Sequence, residues 1–222
     1  MVVEIFIPTY NGMYILPMTI EHYQERLPGC TINIMDDNST DETREFCESK
    51  GCVVTKVSYE ESNPHLRGYE PALMKDLRNN CWKNSEAEWI MVVDQDELID
   101  VRLEDFDSLK DFDVVKVKGY DMWGLGETDP KKFTYGRMHP WYCKPSMFRR
   151  SLGEINWIGG NHAAYPPEHA RWARYHFNMY HYPERNFSRE KFIEYLSRSV
   201  PEEISGPHYD QETDMKRLKK VR

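Results

Sequence analysis

Several function classes leave a mark that this chain does not carry. No apolar run in its 222 residues approaches the roughly 20 needed to cross a bilayer as a helix. The opening, MVVEIFIPTYNG, has neither the basic lead nor the apolar stretch of a secretory signal. A soluble, cytoplasmic protein is therefore expected, either whole or as one domain of a longer chain. Positive charge is scarce as well: 29 Lys and Arg face 37 Asp and Glu, a formal net charge of −8. That argues against a general electrostatic grip on nucleic acid, and an anionic ligand would need a metal ion or helix N-termini. Cysteine is sparse, with Cys30, Cys47, Cys52, Cys81 and Cys143 in no zinc-binding spacing. They read as reduced structural thiols. Internal repeats and low-complexity linkers are missing too.

What is present is a globular composition, 40% hydrophobic and 30% charged, enough for one α/β domain with a developed core. The 14 Tyr and 6 Trp exceed what a small core needs, and surplus rings of this kind line sites for sugars or flat rings. VVEIFIP is a β-branched run that stops at Pro8, as a buried first strand does. MYILPMTIEHYQERL has helical spacing, CTINIMDD is a second strand, and STDETREFCESKG reads as a helix with Ser39 or Thr40 as cap. CVVTKVS, YEPALMKDLRNNCWKN and EWIMVVD continue the series as strand, helix and strand. Such alternation builds a Rossmann-like, mostly parallel sheet flanked by helices in a single domain. Ligands of these sheets sit beyond the carboxyl ends of the strands. Three of those ends carry polar signatures, PTYNG, MDDNSTDET and DQDELID, which would converge on one edge.

The acids of DQDE need a reason. Acids at a strand exit often do no more than solvate a turn or cap a helix. Here Asp94, Asp96 and Glu97 crowd the mouth of the buried-looking run WIMVV, and like charges so close repel unless a cation or proton sits among them. Mg²⁺ or Mn²⁺, with their preference for oxygen, suit such carboxylates and still leave positions for substrate phosphates. In MDDNSTDET the acids either begin a capped helix or accept hydrogen bonds from a nucleobase or ribose. PTYNG is either a plain strand-to-helix turn or a ligand border.

Taken in order and spacing, IFIPTYNG, INIMDDNSTDET and WIMVVDQDE resemble the family-2 glycosyltransferases of GT-A type over about the first 105 residues. The resemblance implies a nucleotide-sugar donor, UDP-linked by preference, and a glycan or other hydroxyl acceptor. It implies a donor-binding half, residues 1–105, and an acceptor-side half, residues 106–222, of the same domain. Pro8, Thr9 and Tyr10 would border the nucleotide, Asp37 would meet the base, and Asp94 would lie near ribose or metal. Asp96 would bind the Mn²⁺ or Mg²⁺ that bridges the diphosphate. Arg67 stands where related enzymes place a basic or Gly-rich segment near the nucleotide, although a surface Arg is an equal reading.

The second half departs from that family's pattern. No ED pair follows residue 106 to serve as base. WIGGNHAAYP and YHFNMYHYPERNFSREKF stand in its place and resemble a subgroup with late histidines. On that basis His162 is a candidate base or acceptor ligand, and His181 a candidate to complete the metal shell. His169 and His176 read as structural, and Glu154 and Glu168 remain possible bases. Trp123, Trp141 and Trp157 are candidates to stack on sugars or, equally, to pack the core. NFSREKFIEYLSRSV reads as a capped helix, and MKRLKKVR as a solvated helix tail. A nucleotidyltransferase on a similar sheet is the main competitor, but PTYNGMYILP lacks the basic, Gly-rich phosphate loop it would need. A catalytically silent nucleotide- or glycan-binding module is the other.

Overall fold

The computed structural model describes residues 2–57, 71–158, 163–183 and 219–221. Arg67, His162 and the NFSREKFIEYLSRSV stretch lie outside these residues.

Four strands run parallel in the first half. They are β1 (Val3–Thr9), β2 (Thr31–Asp36), β3 (Val53–Lys56) and β4 (Trp89–Val92), side by side in the order β3-β2-β1-β4. β1 and β4 are near-continuous apolar runs because they are central and covered on both faces. Ile5, Ile7 and all of β4 are buried. The helices between them are α1 (Leu16–Arg26), α2 (Thr43–Ser49) and α3 (Pro71–Asn80). α1 starts with Pro17 in its first turn, where the missing N–H costs nothing. It buries Leu16, Met18, Ile20 and Tyr23.

The second half turns the sheet mixed. β6 (Val114–Trp123) runs antiparallel to β8 (Pro145–Arg149) through its first residues and to β7 (Tyr135–Met138) through its last. β8 in turn pairs antiparallel with β4, joining the halves into one sheet. β11 (Trp172–His181) lies parallel to β6 and holds the three-residue β5 (Glu97–Ile99) antiparallel. β9 (Asn156–Trp157) and β10 (Ala164–Tyr165) form a separate small ribbon.

Two sequence readings change. Ser39 and Thr40 do not cap α2, whose N-cap is Glu42 without a side-chain bond; both residues are drawn to the loop after β1 instead. The basic C-terminal stretch is no helix tail where it is described: Lys219–Lys220 form β12, antiparallel to β7. β11 carries no clean strand signal in the sequence, because its alternation fails at a bulge, where Arg174, Tyr175 and His176 are all exposed and Tyr175 has φ 56°.

Candidate active site at the sheet edge

The carboxyl ends of β1, β2 and β4 meet as expected, and hydrogen bonds stitch their loops together. Thr9 lies opposite Asp36 in register, and the Asp37 N–H donates to the Thr9 carbonyl at 2.9 Å. Asn11, at φ 45°, turns the chain left-handed, a conformation Asn tolerates better than most residues. Its N–H donates to Ser39 Oγ at 3.0 Å and its Oδ1 accepts from the Thr40 N–H at 2.8 Å. The Gly12 N–H donates to Thr43 Oγ1 at 2.8 Å. Gln95, the middle residue of DQD, joins the third loop: Tyr10 donates to its Oε1 at 3.3 Å and Thr19 Oγ1 to its carbonyl at 2.7 Å. Of the residues expected to border a nucleotide, Pro8, Thr9 and Asp37 are buried and Tyr10 is half-buried. The Thr9 hydroxyl donates back to the Ile7 carbonyl.

The acids at the mouth of β4 divide into two groups. Asp94 Oδ1 is bound by Arg78 from α3, and Asp94 Oδ2 lies 3.2 Å from Lys144 Nζ. Lys144 also pairs with Glu97 Oε1 at 2.8 Å, and Glu97 Oε2 accepts the Asp94 N–H at 3.0 Å. The Arg78, Lys144 and Glu97 side chains are fully buried, while Asp94 is about one quarter exposed. Burial pushes the Glu97 carboxyl up, against the pull of Lys144. Burial alone would lower the Arg78 pKa, but Asp94 outweighs it and holds the guanidinium charged.

Asp96 belongs to the other group. It meets His181 Nε2 at 3.4 Å, and His181 Nδ1 lies 3.0 Å from Asp121 Oδ1. The geometry follows from strand pairing: His181 ends β11 directly opposite Asp121 on β6, and the Tyr182 N–H donates to the Asp96 carbonyl at 2.8 Å. The Tyr142 ring packs on the imidazole, centroids 4.0 Å apart. Gly119 makes this possible, since a Cβ there would fall 2.4 Å from the Tyr142 carbonyl oxygen. Burial would depress the His181 pKa, but Asp96 and Asp121 more than offset that and raise it to about 9.

The remaining candidates separate cleanly. Trp123 and Trp157 are core residues at 5% and 0% exposure, whereas Trp141 is 41% exposed beside His139 and Tyr142. His176 bonds Ser108 on the surface, and His169, Glu154 and Glu168 are exposed. All five cysteines are free thiols. Gln95, Arg78, Lys144 and Asp121 were not singled out from the sequence. Of these, Asp121 lies within DVVKVKGYDMW, whose apolar and β-branched alternation is the one readable signal.

Among the described residues no three His, Cys, Asp or Glu side chains already form a metal cage. Asp96 and His181 nevertheless fit a hard divalent ion as one carboxylate and one imidazole. Asp121 on the far ring nitrogen is the support that metal-bound histidines usually have. An ion held by two protein ligands keeps positions for phosphates and water.

Solved structures share this architecture. S. aureus TarS residues 1–349 in complex with UDP is 19% identical, with a TM-score of 0.52 over 96% of this chain and 68% of that one. The same fragment with UDP-GlcNAc is 17% identical, TM-score 0.52, covering 92% and 69%. Against S. aureus TarS in another crystal structure the figures are 17%, 0.50 and 92%, but this chain spans only 41% of its length. The fold is thus an α/β fold of GT-A type. Residues 4–106 match the model of glycosyl transferase family 2. No curated protein matches the sequence.

Proposed function

We propose that the chain transfers a sugar from a nucleoside-diphosphate sugar, UDP-linked by preference, to a hydroxyl of a glycan or other acceptor. The observation that carries this reading is the joining of the loops after β1, β2 and β4 at one edge, beside the Asp96–His181–Asp121 cluster. In support, two TarS structures of the same fold hold UDP and UDP-GlcNAc. Residues 1–105 form the donor half and 106–222 the acceptor half, with His181 and Lys144 reaching back across that division.

In this reading Thr9 and Tyr10 border the nucleotide and Asp37 accepts from the base. Asp94, fixed by Arg78 and Lys144, accepts from a donor hydroxyl. Asp96 and His181 hold Mn²⁺ or Mg²⁺, which offsets charge developing on the leaving diphosphate. Asp121 keeps the imidazole turned toward Asp96. A general base takes the acceptor proton and the anomeric centre inverts. His162 is the candidate for that role, Arg67 for a further nucleotide contact, and Trp141 for stacking on the acceptor. Among the described residues no helix is long and apolar enough to cross a membrane.

The test is to incubate the protein with a panel of UDP- and GDP-sugars and hydroxyl acceptors and follow what leaves. Release of a nucleoside diphosphate with loss of the donor sugar supports the reading. Release or consumption of pyrophosphate points to a nucleotidyltransferase, and no turnover of any donor to a silent binding module.

A further inference from the structure

We propose that Lys144 is an internal counter-ion of the acidic edge, holding Asp94 and Glu97 so that the divalent ion of the donor site is left to Asp96 and His181. The inference rests on the donor-site reading and adds a residue that the sequence did not bring forward.

Lys144 reaches the edge from the other half of the chain. Its carbonyl accepts the Val117 N–H at 3.1 Å, just where the β6–β8 register shifts, and its side chain is fully buried. Nζ lies 3.2 Å from Asp94 Oδ2 and 2.8 Å from Glu97 Oε1. Arg78, equally buried, takes the remaining Asp94 oxygen. Among the described residues Arg78 and Lys144 therefore stand against Asp94 and Glu97, two basic side chains to two acidic ones. Charges so deeply buried are tolerable only when paired in this way.

The consequence is a division of labour within the three acids. A divalent ion placed on Asp94 would sit close to both an ammonium and a guanidinium, which repel it at short range. Among the described residues Asp96 meets neither of these two permanent cations, and the proton that it and Asp121 favour on His181 is one that an incoming divalent ion displaces. That neighbour is an imidazole, a good metal ligand in its neutral form, backed by the buried carboxylate of Asp121. Lys144 is thus a positioning residue: it acts through Asp94 and Glu97, not on the substrate.

The experiment is a Mn²⁺ titration followed by electron paramagnetic resonance in the presence of UDP. It compares wild type, Asp96→Asn, Lys144→Met and the charge-neutral pair Glu97→Gln/Lys144→Met. Wild type is expected to take one Mn²⁺ per chain, and Asp96→Asn to lose affinity at least tenfold. Lys144→Met, which removes one positive charge beside the ion, should tighten Mn²⁺ about tenfold. The double variant should stay within about threefold of wild type, because no ligand has been lost and the local charge is unchanged. A measurement on wild type alone guards against misfolded variants. With ¹⁵N-labelled lysine, the buried ammonium should remain paired and visible by NMR both before and after Mg²⁺ and UDP are added. A wild type that takes no Mn²⁺ with UDP overturns the donor-site reading, and this inference with it. A wild type that takes Mn²⁺ overturns only the counter-ion assignment if the double variant loses the ion as Asp96→Asn does, or if the ammonium signal is displaced by Mg²⁺ and UDP.

Discussion

Asp121 shows how much a single side chain can decide. It touches the Nδ1 side of His181 and so fixes which way the imidazole presents Nε2 to Asp96. Carboxylates in this position are typically worth one to two orders of magnitude in metal affinity. Asp121→Asn is therefore expected to weaken Mn²⁺ binding by about 10- to 100-fold and, because it removes one partner of a buried pair, to lower the thermal midpoint of the metal-free protein as well. A titration of the variant beside wild type checks this. Tyr23 gives a second case, concerned with stability. Its buried hydroxyl donates to the Glu97 carbonyl at 2.8 Å and accepts the Ile99 N–H at 3.1 Å, tying α1 to β5 just beyond the acids. Burial raises the phenol pKa far above its ordinary value, so the group stays neutral and able to donate. Tyr23→Phe leaves both backbone groups short of a partner and should cost about 1–3 kcal/mol in urea unfolding.

Among elements, the β6–β11 pair matters most, because it carries both Asp121 and His181. Its two strands are clamped at their starts. The Arg171 backbone N–H and Nε reach Asp113 Oδ2 at 2.9 and 2.8 Å, and an Arg171 terminal nitrogen reaches Asp113 Oδ1 at 2.8 Å. These hydrogen bonds hold the Asp113 carboxyl down at about 2, against an ordinary 3.8. Since the folded value lies below the unfolded one, the clamp contributes fully above the ordinary value and fades as pH falls through the folded one. The urea midpoint should therefore drop between about pH 4 and pH 2, and Asp113→Asn should flatten part of that drop. The same elements mark where sequence reading ran out. β1 to β4 were legible because each holds β-branched apolar residues, and β1, β2 and β4 end in a polar signature. β11 was not, since its bulge breaks the alternation at Tyr175 and its pairing with β6 spans distant parts of the chain. Ser39 and Thr40 had the right chemistry for a cap, yet the Asn11 loop competes for them, and local sequence cannot show such a competitor.

For the whole molecule, the division between legible and hidden follows sequence distance. Asp94, Asp96 and Glu97 stood together in the chain, and their crowding called for a cation. The fold supplies Arg78 from 16 residues before Asp94, on α3, and Lys144 from 50 residues after it, so part of the answer to the crowding was invisible. His181 was legible only through resemblance to a family, and its place beside Asp96 is made by the long parallel pairing of β11 with β6. The acceptor half stays the harder to read, since Trp141 is exposed there while Trp123 and Trp157 were claimed by the core.

The central claim is a metal-dependent donor site at the edge where β1, β2 and β4 end. Calorimetric titration of the protein with UDP tests it most directly, run with Mn²⁺, with chelator, and with Asp96→Ala in place of wild type. The account predicts UDP binding that needs Mn²⁺ and is weakened at least tenfold in Asp96→Ala, by the loss of one ligand and one charge. UDP binding that is indifferent to both chelator and the substitution would contradict it and return these acids to a purely structural role.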